Sequence, residues 1–155
     1  MLDVLAPVAG HSMEIRDLPD PVFARGLVGP GLALRPRPGE QTALAPVTGT
    51  LVKLHPHAYV VRADGDGRAV LVHLGIDTVH MQGEGFTLQA REQDHLEAGS
   101  PVVRWDPSYV ESTGRSAVCA VVVLDCDPAQ VKPHAVDVDL EAADLLFEVD
   151  CLGVR

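Results

Sequence analysis

The sequence consists of short apolar runs, each bounded within a few residues by glycine, proline or aspartate. Fourteen glycines and twelve prolines are spread along its 155 residues, and long stretches with the 3.6-residue period of an amphipathic helix are missing. Short runs rich in valine and leucine favour strands. The sequence therefore predicts an all-β fold, an antiparallel β-sandwich or barrel with only short helical turns. The seven runs occupy residues 32–34, 50–54, 59–61, 69–74, 101–105, 117–124 and 145–149.

An internal repeat accompanies these runs. Ala-Pro-Val-x-Gly occurs at residues 6–10 and again at residues 45–49, each time before a predicted strand. Two copies predict a duplicated β unit, although two fall short of a solenoid.

Two short helical segments are expected between the strands. Asp106 can cap a helix over residues 107–113, with Pro107 at its first position and Gly114 at its end. A second turn is expected at residues 141–144. We expect one domain over residues 1–155, because no linker interrupts the chain.

Composition excludes several classes of protein. The net charge of −10 argues against a nucleic-acid partner and suits a partner with a basic surface. The N-terminus has neither a basic start nor a long apolar stretch, and no run approaches a membrane span, so we expect a cytoplasmic location. Cys119, Cys126 and Cys151 match no metal-ligand spacing and are expected to be reduced, mostly buried thiols.

Two histidines stand on the predicted arms of a β-hairpin. His73 lies next to the last position of the run at 69–74, His57 precedes the run at 59–61, and Asp-Gly-Asp-Gly at residues 64–67 is a strong turn signal. Side chains alternate between the faces of a strand, so the parity of the pairing decides whether the two imidazoles share a face. The sequence leaves that parity open.

Three chemistries can use such a pair of histidines. A neutral imidazole can carry a phosphoryl group as a phosphohistidine, without a metal. Two imidazoles can bind zinc with a third protein ligand. General acid–base hydrolysis would need a substrate cleft, which the sequence does not reveal. A histidine at the end of a strand can also be an ordinary half-exposed or buried structural residue.

The chain resembles the glucose-type IIA components of the bacterial phosphoenolpyruvate-dependent sugar phosphotransferase system. The most specific blocks are His-Leu-Gly-Ile-Asp-Thr-Val at residues 73–79 and Gly-Glu-Gly-Phe at residues 83–86. All the blocks, in order, are residues 6–10, 19–24, 28–33, 45–49, 57–59, 72–79 and 83–86.

The resemblance implies a β-sandwich with a duplicated motif and a role for each of several residues. His73 would accept a phosphoryl group through Nε2 from the histidine phosphocarrier protein and pass it to a cysteine of the IIB domain of a sugar permease. His57 would contact the phosphoryl group, while Gly75 and Asp77 would shape the end of the strand. The docking rim, expected to be an exposed apolar patch around His73, would comprise Val22, Phe23, Ile76, Val79 and Phe86.

The chain departs from its relatives at two places. His55 stands where many relatives have a threonine that bonds the active-site imidazole, so this supporting contact is expected to be rebuilt or lost. Only residues 1–5 precede the first motif, whereas enteric relatives have a longer tail that can lie on membranes. Direct membrane attachment is therefore not expected.

No cofactor is expected, although His57 and His73 can take up zinc adventitiously or with a partner's carboxylate. His55-Pro56-His57 also resembles the His-x-His of lysostaphin-like zinc peptidases. Those enzymes carry an earlier His-x3-Asp pair, but Ile15 stands where an aspartate would follow His11. A non-catalytic regulatory module of the same fold is a third alternative. The permease decides the sugar, and glucose and N-acetylglucosamine systems both fit.

Overall fold

The computed structural model describes residues 1–65 and 67–150, and within these residues lie fourteen strands and two short α-helices. The all-β prediction is therefore confirmed, and each of the seven predicted runs overlaps a strand. The strands are β1 (Leu2–Leu5), β2 (Gly10–Glu14), β3 (Gly31–Pro36), β4 (Gln41–Leu44), β5 (Gly49–His55), β6 (Ala58–Ala63), β7 (Ala69–Leu74), β8 (Phe86–Leu88), β9 (His95–Leu96), β10 (Pro101–Trp105), β11 (Cys119–Val123), β12 (Val131–Pro133), β13 (Asp139–Leu140) and β14 (Leu145–Val149). The helices are α1 (Pro21–Ala24) and α2 (Pro107–Ser112).

The strands form one large sheet and two small ones. The large sheet has the order β13-β2-β3-β11-β7-β6-β5-β9, and the small sheets have the orders β1-β14-β12 and β4-β10-β8. Every strand pair among the described residues is antiparallel. The strand order of the large sheet has two corresponding halves: β13 corresponds to β9, β2 to β5, β3 to β6 and β11 to β7. The two small sheets correspond to each other in the same way.

The duplication is visible in the hydrogen bonds between the two Ala-Pro-Val-x-Gly copies. The N–H of Leu5 donates to the carbonyl oxygen of Pro46 at 2.9 Å, and the N–H of Leu44 donates to that of Pro7 at 2.9 Å. The four residues hold equivalent positions in the two copies. The predicted duplicated unit is therefore present, and the two copies are bonded reciprocally.

The large sheet buries side chains on both faces. Its inner face packs on the two small sheets in a continuous core that includes Leu34, Val72, Val121 and, from the small sheets, Trp105 and Phe147. On the outer face lies a second, smaller cluster. Alternation along the strands sends Ala33, Ala120 and Val122 to this side, where Leu18, Phe23 and Ile76 cover them.

The helical predictions are confirmed within the described residues. Asp106 accepts from the N–H groups of Ser108 and Tyr109 at the start of α2, with Pro107 as its first residue. The N–H of Asp144 bonds the carbonyl oxygen of Glu141 in the predicted second turn. Across residues 1–65 and 67–150, none of the helices has the length and apolar character to cross a bilayer.

Candidate functional site

His73 lies at the end of β7, on the outer face of the large sheet. It pairs with Ala58 of β6 on one side and with Ala120 of β11 on the other. Its Nδ1 lies 2.7 Å from the carbonyl oxygen of Gly75. A carbonyl can only accept, so Nδ1 carries the hydrogen and donates it. Neutral His73 therefore keeps the lone pair on Nε2, the nitrogen expected to be the nucleophile.

The turn after β7 holds that carbonyl in place. Gly75 has φ +82°, and a Cβ there would lie 2.6 Å from Cγ2 of Thr78 and 3.0 Å from the carbonyl oxygen of Ser116. The buried hydroxyl of Thr78 donates to the carbonyl oxygen of Leu74 at 2.7 Å. Asp77, exposed and at φ +61°, completes the turn. The role of Thr78 was not predicted from the sequence, although a threonine four residues after the end of a strand can make this backbone bond.

His57 reaches His73 from a turn rather than from a strand. The register of β6 and β7 pairs Ala58 with His73, and the N–H of Leu74 bonds the carbonyl oxygen of His57. Simple alternation along β6 would have sent His57 to the opposite face. Because His57 precedes β6, its ring is free of that alternation and meets His73 edge-on, with ring centroids 5.3 Å apart. Asp66 of the predicted hairpin turn lies outside the described residues.

The ring of Phe23 also contacts the ring of His73. Residues 15–30 connect β2 to β3 and carry α1, which begins where the side chain of Asp20 accepts from the N–H of Val22 at 2.8 Å. The ring of Phe23 meets that of His73 edge-on, with centroids 5.4 Å apart. His73 is thus enclosed by rings on two sides and half-buried.

Burial sets the charge of His73. Desolvation lowers the pKa of His73. The hydrogen bond to Gly75 and the carboxylates of Asp20 and Asp77 raise this pKa, but desolvation is the larger effect. A histidine with a lowered pKa is neutral near pH 7, which is the state a nucleophilic imidazole needs.

His57 is held neutral more strongly. Burial, followed by the nearby His73 and His55, lowers its pKa to about 4. The ring of His55 stacks on that of His57, with centroids 5.7 Å apart and planes inclined by 26°. The supporting residue His55 is therefore a ring neighbour of His57.

The predicted docking rim is exposed only in part. Val22 and Val79 are 48% and 53% exposed. The expectation of an exposed patch is wrong for Phe23 and Ile76, which are 6% and 8% exposed because both pack into the outer-face cluster. Phe86 is half-buried.

Phe86 packs against the inner core. Its ring stacks on that of Trp105, with centroids 6.1 Å apart, and it packs against the main cluster. Leu27, which no motif in the sequence marks as part of the rim, is 70% exposed, and its N–H bonds the carbonyl oxygen of Val22. The available signal was a Leu-Val pair between Gly26 and Gly29.

Other candidate ligands are engaged elsewhere. Among residues 1–65 and 67–150, histidine, cysteine and carboxylate side chains form no group of three or more that could hold a metal ion. Both ring nitrogens of His11 lie 2.8 Å from carboxylates, those of Asp139 and Asp137. Cys119 is buried, and burial raises the pKa of its thiol, as it also does for half-buried Cys126. Cys151 lies outside the described residues.

The fold and the site together define a class: a β-sandwich with a duplicated strand motif and paired imidazoles on the outer face of its larger sheet. The family model described as phosphoenolpyruvate-dependent sugar phosphotransferase system, EIIA 1, matches residues 2–128. The chain belongs to this family.

Individual relatives agree with the family. The chain is 38% identical over 130 residues to the glucose-specific EIIA component of Halalkalibacterium halodurans, which covers 83% of this chain and 73% of that protein. It is 34% identical over 127 residues to the glucose-specific EIIBCA component of Corynebacterium glutamicum, covering 82% of this chain. The chain spans only 19% of that longer relative.

A solved structure has the same fold. Glucose permease IIA from Mycoplasma capricolum superposes with a TM-score of 0.84, covers 94% of both chains and is 27% identical in sequence. The comparisons therefore support the resemblance seen in the sequence, and they do not support the zinc-peptidase alternative.

Proposed function

We propose that this chain is a phosphocarrier in which Nε2 of His73 accepts a phosphoryl group from the histidine phosphocarrier protein and passes it to a IIB-domain cysteine. The observation that carries the proposal is the 2.7 Å bond from Nδ1–H to Gly75, which leaves Nε2 as the available nucleophile. In the first step the Nε2 lone pair attacks phosphorus, and the donor histidine leaves with the electrons of its own P–N bond. In the second step the cysteine sulfur attacks, and His73 leaves as neutral imidazole.

His57 supports both steps by its position beside His73. A neutral His57 can donate one N–H to a phosphoryl oxygen. Once the dianionic group is bound, its negative charge favours protonation of His57, which turns the contact into a charge-assisted bond. No metal is required for either step, although the ring pair can take up zinc adventitiously or together with a carboxylate of a partner.

The surface around His73 suits a protein partner. Val22, Leu27 and Val79 present exposed apolar side chains on the two segments that flank the histidine pair. The chain carries a net charge of −10, so a partner with a basic surface would be attracted to it. This combination fits the histidine phosphocarrier protein as donor and a IIB domain as acceptor. The corynebacterial relative is named an EIIBCA component, a name that combines B and C units with the A unit.

The remaining assignments follow from the same role. We propose that residues 1–155 form a single EIIA domain that acts in the cytoplasm, where its phosphocarrier partners work. Sugar selectivity belongs to the permease, and a glucose or N-acetylglucosamine system fits this chain.

The test is to load the chain with phosphate. Purified protein is incubated with phosphoenolpyruvate and the general phosphotransfer proteins, and its intact mass is measured with and without a metal chelator. We expect one phosphoryl group per chain, a phosphorus NMR signal from an Nε2 adduct and no effect of chelator. His73→Ala should remain folded and take up none, while His134→Ala, which removes an exposed histidine elsewhere in the sequence, should load normally.

Three results would overturn the assignment. Phosphate retained on the His73→Ala protein would place the acceptor elsewhere. Loading that stops in chelator and returns with zinc would make the site metal-dependent. A wild-type chain that takes up no phosphate would favour the regulatory-module alternative.

A further inference from the structure

A β-bulge brings His55 to the same face as His73. The pairing of β5 with β6 shifts by one residue between Leu51 and Lys53. Before the bulge Leu51 points into the main core, and after it Lys53 and His55 are exposed on the outer side. An extra residue in one strand reverses the direction of every side chain that follows it. Without this bulge, His55 would point with Leu51 toward the core.

The register then places a small residue between two histidines. His55 pairs with Ala58, and Ala58 pairs with His73, so the three lie in one row across β5, β6 and β7. The central residue, Ala58, has only a methyl side chain and is 6% exposed. The turn before β6 places the ring of His57 beside this row, 5.7 Å from the ring of His55 and 5.3 Å from that of His73.

We propose that His55 is a positioning residue: its ring packs against one side of the His57 ring and holds that ring in contact with His73. The inference rests on the proposed function, in which His57 bonds the phosphoryl group. His57 alone lies in a turn and could rotate toward solvent. A stacked ring on its outer side removes that freedom, and the edge-on contact with His73 limits it on the inner side.

The contact affects the rate because the ring of His57 is only partly buried and depends on its neighbours for its position. A ring pair of this kind contributes enough to shift a rate by about two- to tenfold when the pair is lost. His55 itself is exposed, so its removal should leave the fold intact. The titratable groups that act on His57 are His73 from β7 and His55 from β5, and burial is the larger effect on its pKa.

Three variants separate packing from charge. His55→Ala removes the ring, His55→Phe keeps a ring but cannot be protonated, and His134→Ala is the control for loss of an exposed histidine. Transfer from the phosphorylated chain to a purified IIB domain is timed for each. We expect His55→Ala to slow this step by about two- to tenfold, and His55→Phe and His134→Ala to stay within about twofold of wild type.

A double-mutant cycle tests whether His55 acts through His57. In a His57→Ala background, His55→Ala should cause no additional slowing, because the ring it positions is gone. Additional slowing of the same size as in the wild-type background would overturn the proposal, as would a wild-type rate for His55→Ala alone.

A measurement without phosphate keeps the inference separate from the proposed function. NMR titration of the resting protein should give His57 a pKa near the value of about 4 in wild type and in His55→Phe, and a higher value in His55→Ala, where water reaches the ring. An equal rise in both His55 variants would show an effect of charge and overturn the packing role. This titration remains decisive even if the chain accepts no phosphate.

Discussion

The imidazole of His57 meets that of His73 edge-on at 5.3 Å, although His73 is paired in the sheet with Ala58 and not with His57. The contact depends on a turn at the start of β6, not on strand pairing. It places a hydrogen-bond donor beside the ring of His73, whose Nε2 is left free. The two rings can therefore have different roles, one as nucleophile and one as donor to the phosphoryl oxygens.

Replacing His57 by glutamine should separate those roles. Glutamine keeps one N–H donor but cannot gain a proton when the phosphoryl group is bound. We expect His57→Gln to accept phosphate from the phosphocarrier, and to pass it to the IIB cysteine about 10- to 100-fold more slowly, since a charge-assisted bond contributes about 1.5–3 kcal/mol. The two half-reactions are timed separately with labelled phosphoenolpyruvate. Wild-type rates in both would make His57 a structural neighbour, and loss of the first step would make it essential for forming the intermediate.

A charge placed on the exposed part of the rim should impair docking. Val79→Asp puts a carboxylate on the short helical turn that follows His73, where an apolar partner surface would bury it. We expect slower transfer from the histidine phosphocarrier with no loss of thermal stability. Val138→Asp is the matched control, because Val138 is 43% exposed and lies near β13. Equal rates for the Val79→Asp and Val138→Asp proteins, at low and high salt, would count against the proposed rim.

The turn that fixes the tautomer of His73 should be sensitive to a single methyl group. Gly75→Ala adds a Cβ that would lie 2.6 Å from Thr78 Cγ2, so we expect a destabilisation of about 1–2 kcal/mol from the positive φ and about 1–3 kcal/mol from the clash. Gly114→Ala is the control, because Gly114 has φ +86° and its Cβ would meet nothing within 4 Å. Urea unfolding measures both. Similar losses for the two variants would remove the special role of the Gly75 turn.

His11 gives a prediction about pH. Hydrogen bonds to Asp137, and then to Asp139, raise the pKa of His11 above its ordinary value of 6.5. Protonated His11 therefore stabilises the fold fully below pH 6.5, and this stabilisation is lost as pH rises through the higher pKa of the folded state. We expect His11→Gln to lower the free energy of unfolding more at about pH 5.5 than at about pH 9. An equal loss at both pH values, in parallel with a His134→Gln control, would contradict it.

The strands that could be predicted are those with a strong local signal. Strand β11 is buried on both faces of the large sheet, whereas β7 alternates between half-buried and buried residues. Both strands come from continuous, mainly apolar runs in the sequence. The two-residue strands β9 and β13 carry no such pattern and exist because the ends of β5 and β2 need partners. Strands β1, β4, β8 and β12 also lack a strong local pattern, because each is four residues long or shorter.

The site was predictable as a set of residues but not as a geometry. His57 and His73 are identifiable from their motifs, whereas their contact depends on a register and a turn that no local pattern specifies. The exposure of Phe23 and Ile76 was misjudged for a related reason. Apolar residues in loops can either present a surface or cover one, and here residues 15–30 fold back over the outer face of the sheet. The bulge that turns His55 outward also leaves no clear sequence signal.

The pairing of β1 with β14 bears on how this fold can be joined to other chains. Leu2 lies opposite Val149 in that ladder, so the first and last described strands meet side by side. Adjacent ends allow a domain to be inserted into a longer polypeptide with little distortion of either. A circular permutant that joins β14 to β1 through a linker and opens at the exposed Gly114 would keep every strand pair of the described residues.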